Sequence, residues 1–96
     1  SLVGDWPAER ERYEQRSPLL HAEQITCPVL FFQGLQDKVV PPEQTQRMAD
    51  ALHRSGIPVE VRLFDDEGHG FRNQATQIQV LEQTESFFRR HLDLKP

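Results

Sequence analysis

The 96-residue sequence predicts an α/β fold with a parallel strand pair, in the order helix, strand, helix, strand, helix. Three observations carry that reading. Pro28 to Gln33 is an apolar and aromatic run without polar alternation, the mark of a strand covered on both faces in a parallel sheet. Val59 to Phe64 is a second strand, and the alternation at its start puts it nearer a sheet edge. Between them lies a proline-led helical pattern, the crossover that parallel neighbours require.

Each element has its own local reason. Asp5–Trp6–Pro7 opens the first helix with a side chain that accepts from free N–H groups and a proline suited to the first turn. That helix reaches about Gln15, and Ser17–Pro18 stops it because the residue before proline is pushed out of the α region. Leu19 to Ile25 is a connector with apolar anchors. Pro28 takes the first strand position, where no donor is needed, and Gly34 ends the run. Pro41–Pro42–Glu43 starts the central helix, whose apolar stripe is Met48, Ala49, Ala51 and Leu52. Gly56 stops it and Pro58 forbids continuation. Asp65 to Arg72 is a loop. From about Asn73 to His91, the residues Ile78, Leu81, Phe88 and Leu92 recur at helical spacing, with Val80 and Phe87 widening the stripe.

Composition narrows the classes of function. A hydrophobic share of 36% is low for a self-sufficient α/β core, so the dense apolar strands are expected to be completed by further material. Residues 1–96 then read as one C-terminal portion of a larger catalytic domain. The formal charge of −4 offers no basic field for nucleic acid or an anionic membrane. Acids and bases interleave, as in Glu9–Arg10–Glu11–Arg12, which reads as a solvated helix face. A single cysteine excludes an internal disulfide and suits the cytoplasm. No apolar stretch reaches membrane-spanning length.

Two residues stand out chemically. Asp37 follows the first strand and its terminal glycine, and His69 follows the second strand between Gly68 and Gly70. Loops beyond the carboxyl ends of parallel strands open on one edge of the sheet, where catalytic groups gather. An Asp there can fix the tautomer of an imidazole and stabilise its protonated form. The order acid then base matches the last two members of a Ser…Asp…His triad in an α/β-hydrolase. The first member is missing, because none of Ser1, Ser17, Ser55 and Ser86 lies in a G-x-S-x-G turn. Flanking glycines are expected to free the backbone around His69. Cys27 reads as a small buried hydrophobe and Asp65–Asp66–Glu67 as a solvated turn. His21, His53 and His91 have no metal-ligand spacing, and no phosphate loop is present.

The segment Gly34–Leu35–Gln36–Asp37–Lys38–Val39–Val40–Pro41–Pro42, followed by Glu67–Gly68–His69–Gly70–Phe71–Arg72, resembles the C-terminal end of the prolyl oligopeptidase family of serine peptidases. The bacterial dipeptidyl aminopeptidase and acylaminoacyl peptidase branch is the nearest in pattern. Arg16–Ser17–Pro18 and Phe87–Phe88–Arg89–Arg90–His91–Leu92 fit it too. The resemblance implies an α/β-hydrolase catalytic domain, usually behind a β-propeller, with Asp37 as triad acid and His69 as triad base. It implies short peptide or acyl substrates, no metal or organic cofactor, and a nucleophile and oxyanion hole upstream. Val39 stands where some relatives carry a polar substrate-contacting side chain, so their specificity does not transfer. Esterases and dienelactone hydrolase-like enzymes have similar tails.

The expectation is therefore a serine hydrolase portion that is inert by itself. The alternative is a non-catalytic α/β interaction or oligomerisation module, whose open sheet edge and apolar helix faces favour a homo-oligomer.

Overall fold

The structure, a computed structural model, describes residues 22–92, so the helix expected at residues 5–15 lies outside the described residues. The chain enters through a single 3-10 turn, Ala22–Gln24, inside the stretch expected as a connector, and Ala22 is buried there. Strand β1 (Val29–Gly34) follows, then helix α1 (Pro42–Arg54), strand β2 (Val59–Phe64) and helix α2 (Gln74–Leu92). The strands pair in parallel from Val29↔Val59 to Gly34↔Phe64, so both end level. Gly34 is thus the last strand residue rather than the first beyond it.

The α1 boundaries follow from its sequence. Pro41 caps the start in an extended conformation, and Pro42 occupies the first turn, where its missing N–H costs nothing. At the other end the Gly56 N–H bonds the His53 carbonyl and the Ile57 N–H bonds the Leu52 carbonyl, both at 3.0 Å. This closing motif needs a left-handed residue, and Gly56 supplies it with φ 82°.

Alternation in the strands sorts the helices to opposite faces. Gln33 reaches Thr45 of α1, so the face of Phe31, Gln33, Val61 and Leu63 is the α1 side. Arg62 reaches Gln83 of α2 at 3.0 Å, so Glu60, Arg62 and Phe64 look toward α2. Thr45, Ala49 and Leu52 form the buried stripe of α1. Helix α2 departs from its expected stripe. Of that stripe only Phe87 is buried, joined by Thr76, while Ile78, Leu81, Phe88 and Leu92 stay exposed, Leu81 at 71%. The side chains that meet the sheet are set by ion pairs from its last turn, which apolar periodicity does not register.

Those ion pairs converge on Glu60. Its carboxylate meets Arg62, Arg90 (2.7 Å) and His91 Nε2 (2.7 Å). His91, Arg90 and Arg62 together hold the Glu60 carboxyl down to about 2, with His91 the largest contributor. The cluster pins the end of α2 to the start of β2. Cys27, expected to be buried, is exposed with a free thiol. No helix among the described residues is long and apolar enough to cross a membrane.

Candidate active site

The carboxyl ends of β1 and β2 release two loops that fold against each other. The β1 loop is bonded along the whole of its start: Leu35 N–H to the Phe64 carbonyl (2.9 Å) and Gln36 N–H to the Glu67 carbonyl (2.9 Å). The Gln36 side chain adds a bond to the Asp65 carbonyl at 3.1 Å. Gly34 is what lets the loops come this close. A Cβ there would lie 2.4 Å from the Glu67 and Gly68 carbonyl oxygens, a distance no side chain survives.

Asp37 is fixed by its own loop. Its Oδ1 accepts the Val39 and Val40 N–H groups, each at 2.9 Å, in a local side-chain turn. That leaves Oδ2 for His69, whose Nδ1 lies 3.1 Å away. The Val40 N–H, with help from His69 and the Val39 N–H, holds the Asp37 carboxyl below its usual range against the opposing effect of burial. An ionised carboxylate 8% exposed therefore faces a ring that is 60% exposed. Nδ1 occupies the carboxylate, and Nε2 bonds none of the described residues. A ring held by one nitrogen and open at the other is arranged to carry a proton between solvent-side chemistry and itself.

The flanking glycines play a smaller part than expected. Neither Gly68 nor Gly70 has positive φ, a Cβ at Gly70 meets open space, and one at Gly68 meets only the Gln36 carbonyl at an ordinary 3.7 Å. The indispensable glycine is Gly34, on the other loop. Phe71 anchors the His69 loop instead, its ring edge-on to Phe64 at 5.3 Å, with Phe64 stacked on Phe32 at 6.1 Å.

Two buried polar residues complete the site, and sequence reasoning passed over both. Gln33, 3% exposed, donates from Nε2 to the Val40 carbonyl at 3.0 Å and accepts the Thr45 hydroxyl, tying the Asp37 loop to α1. Glu67, read as one of three solvated acids, is 2% exposed. Its carboxylate accepts the Arg72 N–H (3.0 Å) and the Asn73 N–H (3.1 Å). The Asn73 N–H borders the start of α2 and the Arg72 N–H lies just before it; with the Thr76 hydroxyl they keep the Glu67 carboxyl below its usual range, Arg72 foremost. Asp65 and Asp66 remain exposed as expected. Among the described residues no group of three His, Cys, Asp or Glu side chains is arranged to hold a metal ion.

The chain as a whole is similar to known proteins. The model of the prolyl oligopeptidase family matches residues 3–95. Dipeptidyl aminopeptidase BIII of Pseudoxanthomonas mexicana is 38% identical over 73 residues, covering 76% of this chain and 11% of its own length. Dipeptidyl peptidase family member 6 of Caenorhabditis elegans is 32% identical over 83 residues, covering 86% of this chain and again 11% of the relative. A solved puromycin-hydrolyzing peptidase of Mycobacterium tuberculosis superposes on 90% of this chain with a TM-score of 0.76 and 44% identity, and the match takes up 13% of that structure. The chain thus spans about a tenth of the length of the curated relatives it matches.

Proposed function

The chain belongs to the prolyl oligopeptidase family, and from that membership we propose that it is the part of a serine peptidase catalytic domain that carries the triad acid and base. Its architecture is a portion of an α/β-hydrolase fold. The observation that carries the proposal is the Asp37–His69 contact of 3.1 Å through Nδ1, with Nε2 left open.

In this reading a serine from elsewhere in the protein attacks a peptide or acyl carbonyl, and His69 Nε2 takes its proton. The imidazolium is stabilised by ionised Asp37 and returns the proton to the leaving group. Water, activated by the same ring, then cleaves the acyl-enzyme. The nucleophile and oxyanion donors belong to the remainder of the catalytic domain, so residues 1–96 alone are inactive. Short peptides are the proposed substrates and the cytoplasm the proposed compartment.

The test is His69→Ala in the intact protein, assayed on aminoacyl and N-acyl-aminoacyl p-nitroanilides and on p-nitrophenyl esters. Turnover is expected to fall at least about 10⁴-fold while the protein stays folded. Amide turnover by the unaltered protein marks a peptidase, and activity confined to esters marks an esterase. Undiminished turnover in the variant overturns the assignment.

A further inference from the structure

Glu67 is the buried carboxylate that the proposed proton relay leaves unused. Its side chain lies on the N-terminal side of His69 and bonds the N–H groups of Arg72 and Asn73 on the C-terminal side. The stretch that presents His69 is thereby closed into a ring. The same residue's carbonyl accepts the Gln36 N–H, one position before Asp37. Its backbone is seated against Gly34, where no Cβ fits. Glu67 thus touches the acid loop through its main chain and closes the base loop through its side chain.

We propose that Glu67 is a positioning residue for the acid–base pair, setting the separation of Asp37 and His69 without touching the substrate. This inference rests on the catalytic reading of those two residues. A carboxylate is required by the chemistry of its partners. The Arg72 N–H donates to one of its oxygens and the Asn73 N–H to the other, so both oxygens are engaged as acceptors. A glutamine of the same shape has only one acceptor oxygen and turns its NH₂ toward a donor, so one end of the ring opens. The loop then relaxes, and small displacements of reacting groups are costly: about 1 Å lowers rates up to about 100-fold.

The experiment uses the intact protein with an aminoacyl p-nitroanilide and compares Glu67→Gln, Thr76→Val and His69→Ala. Glu67→Gln is expected to lower kcat about 10- to 100-fold with KM within about twofold. Its acidic limb of kcat/KM also moves to lower pH, because a slackened Asp37 stabilises the protonated ring less well. Loss of folded protein alone scales the rate without moving that limb. Thr76→Val, which removes the buried hydroxyl that helps lower the Glu67 carboxyl, shifts the limb the same way by a smaller amount and covers the case in which Glu67→Gln does not fold. If His69→Ala is dead while both other variants keep the wild-type kcat and limb, the positioning role is overturned and the catalytic reading survives. If His69→Ala is active, the catalytic reading falls and the positioning role falls with it.

Discussion

At the scale of single residues, the division of labour within Asp37 governs the proposed chemistry. Oδ1 is committed to two backbone N–H groups, so the side chain cannot rotate away when His69 moves. Asp37→Asn tests this directly. The amide oxygen can keep the loop bonds, but its NH₂ then faces Nδ1 and forces the hydrogen onto Nε2, the wrong tautomer for a base. The expected result is a fall in kcat of about 10⁴-fold with an unchanged melting temperature, measured on the intact protein. A variant that retains more than a tenth of wild-type turnover would remove Asp37 from the mechanism. Asp37 and His69 were both visible in the sequence because each follows a strand end, and position after a strand is a local property. Glu67 and Gln33 were not visible. Whether the third acid in Asp65–Asp66–Glu67 points inward is decided by donors at the start of α2, and no local pattern reports that.

Elements tell the same story at longer range. The two loops approach through the level ends of β1 and β2, and Gly34 sits at the point of closest contact. Gly34→Ala is expected to force the loops apart, destabilising the protein by about 1–3 kcal/mol and abolishing most turnover, as read by melting and by p-nitroanilide hydrolysis. A fully active, equally stable variant would contradict the close approach. The Glu60 cluster makes a second prediction. Its carboxyl is lowered from 4.5 to about 2, so the stabilisation it gives is complete above pH 4.5 and is lost as the pH falls toward about 2. Glu60→Gln should cost about 1–2 kcal/mol at neutral pH, and the gap from wild type should narrow through that acidic window in melting or hydrogen-exchange measurements. A gap independent of pH would refute the pin. Strand β2 was legible to the residue from its branched side chains, and the start and stop signals of helix α1 were legible in Pro41–Pro42 and Gly56. The orientation of α2 was legible only at Phe87, since the ion pairs of its last turn outweigh the rest of the apolar stripe.

For the whole molecule, the core among the described residues is small. Ala22, Ala49, Leu52 and Phe87 are its buried hydrophobics, while Leu63 and the outward stripe of α2 stay exposed. Apolar surface of this kind is satisfied by contact, so the 96-residue chain produced alone is expected to self-associate and to hydrolyse none of the substrates named above. Light scattering and the same assays check both points; a monodisperse monomer with robust turnover would sink them.

The level ending of β1 and β2 also bears on how such a site can change from generation to generation. A substitution in either loop alters one side chain and leaves the frame in place. Deleting one codon inside a strand inverts every later side chain in it and draws its loop back by about 3.3 Å. Substitutions at Val39 or Gly70 are therefore expected to be tolerated better than a change in the length of either strand, because only the latter moves Asp37 or His69 relative to the other.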